Sequence, residues 1–181
     1  MALAASRFTA TTALNVERAV TAGSVSAFCT ILFGWVWVQG IPTFFRWFGL
    51  DLGEWGPAEL YAVGGFQVLA MSFHETVEIA NGILGLLMTL LIGGFILGIP
   101  FGMYRQRFHG NVEWAGVYWG IGLWLIAQIV SVPLLGFMIE PSPGFFSLGA
   151  GIEAPIGSLL SHVMFGLVLG AIYEPHHDVI E

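Results

Sequence analysis

Four long apolar runs, separated by polar or turn-forming stretches, organise the chain at about residues 19–41, 79–104, 114–139 and 155–173. None alternates apolar and polar residues with the period of a strand. Each is close to the ~20 residues that an α-helix needs to cross ~30 Å of hydrocarbon. The pattern predicts four membrane-spanning helices in a single membrane domain of the all-α class, a helix bundle. A fifth run, Leu60 to Phe73, contains Gln67 and is too short to span comfortably. It predicts an additional interfacial or re-entrant helix over about 59–74. The stretch 43–58 mixes aromatics with Arg46, Asp51, Glu54 and several glycines, and reads as an interfacial loop. Residues 140–154 read as a turn-rich loop.

Inside the runs the informative positions are the small ones. Gly94, Gly98 and Gly102 stand four apart; so do Gly116 and Gly120, and so do Ser158, His162, Gly166 and Gly170. Four-residue spacing puts each set on one helix face, where small side chains let another helix approach closely. Pro42, Pro100 and Pro133 fall near the ends of the first three runs, where proline stops or kinks a helix. Gly98-x-x-x-Gly102-x-Tyr104 and Gly166-x-x-x-Gly170-x-x-Tyr173 echo one another, but glycine is frequent enough for coincidence to be the simpler reading.

Composition supports the membrane assignment. The 181 residues are 56% hydrophobic and only 9% charged, against about 25% charged in a soluble domain, and mean hydropathy is +0.82. The five cations are all arginine, and the formal net charge is -7. That balance argues against a nucleic-acid partner, which needs clustered basic residues, and suits a host with a salty cytoplasm. The first run follows Arg7 and Arg18, the order of a signal peptide, but it is longer than an h-region and lacks a clear cleavage site, so it reads as an uncleaved span. With four spans, Arg7, Arg18, Arg105 and Arg107 fall on one side and Arg46 on the other. The positive-inside rule then predicts a multi-pass protein of the cell membrane with both termini cytoplasmic. A fifth crossing by 60–73 would spoil that asymmetry.

The C-terminal half carries two recognisable pieces. A glycine-rich third run closes on Pro-Leu-Leu-Gly (Pro133 to Gly136), and a Ser-Leu-Leu-x-His-x-x-x-Gly-x-x-x-Gly-x-x-Tyr helix follows (Ser158 to Tyr173). Over residues 80–174 this resembles a family of small four-helix membrane proteins of haloarchaea and other prokaryotes, a domain of unknown function. The positions that match are Pro133, Gly136, His162, Gly166, Gly170 and Tyr173. The resemblance implies a four-span bundle and brings no established activity.

Candidate chemistry centres on His162. A histidine within a span faces a partner or a cavity, because a charged ring in lipid is costly. One reading is a neutral imidazole hydrogen-bonded across a helix interface to Gln128, Ser131 or Ser158. A second is a haem or metal ligand, and a third a proton or substrate relay. His74, Glu75 and Glu78 form HETVE, in which His74 and Glu78 share a helix face. Glu78 stands where H-E-x-x-H has its second histidine, so a zinc protease is disfavoured. His74 and Glu78 with His162 would make a mononuclear metal set, but an axial offset of roughly 10 Å separates the histidines at the helical rise. The simpler reading of HETVE is a solvated helix start. His176, His177 and Asp178 read as a solvated tail, and Arg105, Arg107 and His109 as a patch that sets topology and touches anionic headgroups.

Other chemistry is excluded. Without lysine there is no P-loop and no Schiff base, there is no G-x-S-x-G elbow, and no C-x-x-C-H for covalent haem. The single cysteine, Cys29, permits no intrachain disulfide and reads as packing. No catalytic residue is assigned. The expected function is a non-enzymatic structural or accessory component of a membrane assembly, a homo-oligomer or part of a larger complex, with no cofactor. The alternatives are a b-type haem or metal-binding electron-transfer subunit, and a small oligomeric channel or transporter lined by Gln67, Gln128 and His162.

Overall fold

The computed structural model describes residues 14–36, 40–49, 86–107, 111–136, 144–150 and 152–173. Within them the chain is helical and contains no strand. The helices are α1 (Val16–Trp35), α2 (Ile41–Trp47), α3 (Leu86–Arg107), α4 (112–136) and α5 (Glu153–Tyr173). Four of these, all but α2, are long and apolar enough to cross a membrane. The protein is an all-α helical bundle. The interfacial segment expected over 59–74 and the HETVE motif lie outside the described residues, as do Gln67, His109, His176, His177 and Asp178.

Asparagine sets the starts of α1 and α4. The Asn15 side chain accepts from the Arg18 amide at 2.8 Å, and that of Asn111 faces the Trp114 amide at 3.4 Å. An N-cap oxygen satisfies amides that the first turn leaves unpaired. The helices therefore begin at Val16 and Val112, ahead of their apolar runs, because a first turn at the membrane surface tolerates Glu17 and Arg18. The stretch read as a loop from residue 43 is helical as far as Trp47. Pro42 lies in the first turn of α2, where its missing N–H is no loss.

Pro100 and Pro133 are accommodated by one device. A π-helical segment, Ile92–Gly98, ends two residues before Pro100, and another, Ala127–Ser131, ends two residues before Pro133. Proline cannot bond the carbonyl four residues back and its ring crowds it. The wider turn relieves that conflict without ending the helix.

The packing order is α3, α1, α5, α4, with α1 against both α3 and α5, and α5 against both α1 and α4. Neighbours approach backbone to backbone. A Cβ on Gly23 would meet Gly94 Cα at 2.9 Å, and one on Gly116 would meet the Gly166 carbonyl carbon at 2.9 Å. Gly94 faces Val20 and Ser24, Gly98 the Ala19 carbonyl, Gly120 the His162 carbonyl, and Gly166 Gly116 and Gly120. The Ser24 hydroxyl adds an interhelical bond to the Leu90 carbonyl at 3.1 Å. Ser26 and Thr30 instead donate to carbonyls one turn back in α1, at 2.6 and 2.8 Å, which satisfies hydroxyls that lipid could not.

Size rather than polarity separates inside from outside. Ala19, Ala22, Ser26 and Ala27 are buried, whereas Phe28, Leu32, Leu91, Phe95, Ile126 and Ile129 are exposed. In water this would be inverted; in lipid, large apolar side chains face outward at no cost and close packing takes the small ones. The larger core side chains gather near the end holding Arg18, Arg105 and Tyr173, hereafter the terminal end. There Phe101 meets Trp119 and Tyr173 with ring centroids 5.9 and 5.7 Å apart, and Tyr104 meets Trp119 at 5.6 Å. These rings join α3, α4 and α5. The opposite, loop end is where α4 leads towards α5.

Candidate functional site

The loop end holds a buried polar clamp between α4 and α5. Gln128 is 1% exposed. Its Nε2 donates to Ser158 Oγ at 3.2 Å, and its Oε1 accepts from Ser147 Oγ at 3.1 Å. Both ends of one amide are thereby used. Ser158 and Ser147 are themselves buried, so in the absence of water each pairing is worth more than it would be at a surface.

The π segment Ala127–Ser131 aims this amide. In an α-helix, positions 128 and 131 would share a face. The wider turn separates them: Gln128 points inward, and Ser131 is exposed on the outer surface. Ser131 is thus neither part of the bundle's polar interior nor a partner of His162, contrary to the α-helical reading of this stretch.

Ser147 had no warning in the sequence pattern. It lies in the 3-10 turn Phe145–Ala150 between the last two spans and is completely buried. Phe146 and Ser147 both have left-handed backbones, with φ of 54° and 60°. For residues other than glycine such conformations cost about 1–3 kcal/mol each. The turn is held by Ser147 Oγ on Gln128, by the Ser147 amide on the Gly144 carbonyl at 3.1 Å, and by Phe146 against Trp124 at 5.6 Å. The only advance signal was the Pro-Ser-Pro-Gly run before it, which marks a turn but not its burial.

His162 is half-buried on α5, one turn beyond Ser158. Its Nδ1 lies 2.8 Å from the Ser158 carbonyl oxygen. A carbonyl only accepts, so Nδ1 carries the proton and, in the neutral ring, Nε2 keeps the lone pair. The bond runs within α5 and not across an interface; Gln128 reaches the Ser158 side chain instead. No other described residue is hydrogen-bonded to the ring. His74 and Glu78, the other members of the suggested ligand set, lie outside the described residues. Among the described residues no three His, Cys, Asp or Glu side chains cluster. Cys29 is a half-buried free thiol on α1.

The small-residue positions sit at helix contacts within the chain. Gly94, Gly98, Gly116, Gly120 and Gly166 face backbone, Gly102 lies under the Tyr173 hydroxyl, and Gly170 Cα is 3.3 Å from a Cβ built on Gly116. Gly122 differs, because a Cβ there would meet nothing.

In comparison with known proteins, the chain matches no family model, no curated protein and no solved structure. The fold and the composition define the class: a helical membrane protein with four candidate spans.

Proposed function

We propose that the protein is a non-enzymatic structural or accessory component of a membrane assembly. The observation that carries this reading is the clamp, in which Gln128, Ser147 and Ser158 use their polar atoms on one another. Groups so engaged lock helices together and offer little to a substrate. The small-residue faces are taken up within the chain, so association would use the outer surface. Gly122 is the described helical glycine whose face is open. Purification in a mild detergent should therefore yield a homo-oligomer or a stoichiometric partner, weakened by Gly122→Leu while the monomer fold persists. A strict monomer with no partner would count against the reading.

One observation favours a second reading. The proton on Nδ1 leaves His162 Nε2 as an acceptor, the arrangement in which histidine binds metal or haem iron. A b-type haem would give a Soret band that shifts on dithionite reduction and disappears in His162→Ala. A colourless, metal-free preparation would end this reading.

On this reading both termini lie in the cytoplasm. Arg18 donates to the Ile172 carbonyl at 3.2 Å, which supports a shared end for the start of α1 and the end of α5, and Arg105 and Arg107 close α3. Positive residues favour the cytoplasmic side. Fluorescent fusions at the C-terminus should be active in the cytoplasm, and an alkaline phosphatase fusion there should be inactive.

A further inference from the structure

We propose that the turn Phe145–Ala150 is submerged below the lipid headgroups at the loop end, with acyl chains against its outer side. The clamp fixes the depth. Ser147 Oγ donates to Gln128 Oε1 at 3.1 Å, and Gln128 stands six residues before Leu134, where its candidate span ends. Six residues are roughly 9 Å at the helical rise. Side chains lean towards the N-terminus of their helix, which for α4 is away from the loop end, so the amide does not climb to the surface to meet the serine. Its other end is held by Ser158, four residues inside the span that starts at Ala154. The turn instead comes down to the amide, and its backbone packs beside the π segment Ala127–Ser131 and beside α5.

The make-up of the turn suits that depth. Between Gly144 and Ile152 the only polar side chain is Ser147, and it is completely buried. Phe146 turns in with it, edge-on against Trp124. The two left-handed residues are thus the pair that faces inward. Phe145, Leu148 and, just beyond the turn, Ile152 are left outside, at 68%, 55% and 65% exposure. Large apolar side chains so crowded in a surface loop would be a liability in water; in lipid they cost nothing. The Ser147 amide is paired with the Gly144 carbonyl, as lipid requires of backbone polar groups.

Acyl chains are the occupant that this placement selects. The turn packs on the end of α4 and the start of α5, whose outward side chains Val130, Leu134 and Ile156 are also exposed. The apolar side of the turn therefore continues the lipid-facing surface of two spans. A turn that is apolar outward and hydrogen-bonded inward wedges into one leaflet, as the apolar face of an interfacial helix does, and ties the α4–α5 end of the bundle to that leaflet.

The test uses the full chain with Cys29→Ser, which removes its single thiol, combined in turn with Phe145→Cys, Leu148→Cys or Ile129→Cys. Each variant is labelled with an environment-sensitive fluorophore and reconstituted in phosphatidylcholine vesicles. Ile129, exposed on α4, is the lipid-facing reference. Both turn labels should emit at the shorter wavelength of the reference. They should lose more emission to a nitroxide on the acyl chain than to one on the headgroup, and little to aqueous iodide. Stronger quenching by the headgroup nitroxide or by iodide would put the turn at the surface and overturn the proposal. Protection from every quencher would put protein over the turn in place of lipid, and would overturn it as well. The two turn positions are read separately, so if one variant fails to fold the other decides.

Discussion

At the loop end, one buried amide meets two buried hydroxyls, and a turn with two left-handed residues is kept in place to supply one of them. At the terminal end, Tyr173 packs edge-on against Phe101, its hydroxyl lies over Gly102, and Arg18 Nε donates to the Ile172 carbonyl at 3.2 Å. Both positions combine a polar side chain with close helix packing. The first is closed, with donor and acceptor matched inside the chain. The second is held by packed rings and by one guanidinium seated on a helix-end carbonyl. Closed polar groups hold a membrane bundle in register by matched bonds, and packed rings hold it by shape and area.

Several substitutions would break or sharpen this contrast. The largest effect is expected midway between the ends, where Gly166 touches Gly116 and Gly120. Gly166→Leu should separate α4 from α5 and remove more than about 4 kcal/mol of stability, read as loss of a folded peak in size exclusion and of cooperative unfolding in SDS. At the loop end, Gln128→Leu strands Ser147 and Ser158 and should cost about 2 kcal/mol. Ser147→Ala loses one bond and keeps the left-handed backbone, for about 1 kcal/mol. Ser147→Gly relieves that backbone and should fall within about 0.5 kcal/mol of wild type. If alanine and glycine behave alike in SDS titrations, the turn is not strained in the way its backbone angles imply.

Tyr173→Phe is the counterpart at the terminal end. In neutral detergent it should change stability by less than about 0.5 kcal/mol, since the hydroxyl it removes makes no hydrogen bond among the described residues. A loss as large as that of Ser147→Ala would erase the difference between the two ends. The smallest effect is expected at Gly122, where alanine meets no neighbour and should stabilise by about 0.5 kcal/mol through the unfolded chain.

Much of the fold could be read from the chain because lipid leaves few alternatives. A run of apolar residues of the right length must be helical to satisfy its backbone, so the all-α class and the number of candidate spans follow from pattern alone. The four-residue glycine spacing marked the faces that approach closely, since only small side chains permit it. The clamp was half legible. Gln128 stood out as a polar residue in an apolar run, but its partners did not. In an α-helical register Ser131 is equivalent to it, and the π turn that turns Ser131 outward leaves no mark in a one-dimensional pattern beyond the proline that follows. Ser147 belonged to a stretch of turn residues whose burial depends on helices distant in sequence. His162 was conspicuous by type, yet its bond to the Ser158 carbonyl is a local one that any helix could supply.

The sequence by itself determined that this is a helical membrane protein, where its candidate spans fall and which faces are small enough to meet. These depend on hydrophobic length and side-chain volume, which are properties of single residues and their spacing. Which helix meets which was decided only by the tertiary structure. So were the closure of Gln128 between two serines and the seating of Arg18 on the Ile172 carbonyl. Those outcomes depend on the pairing of groups up to 154 positions apart in the chain, and no local pattern encodes a pairing of that range.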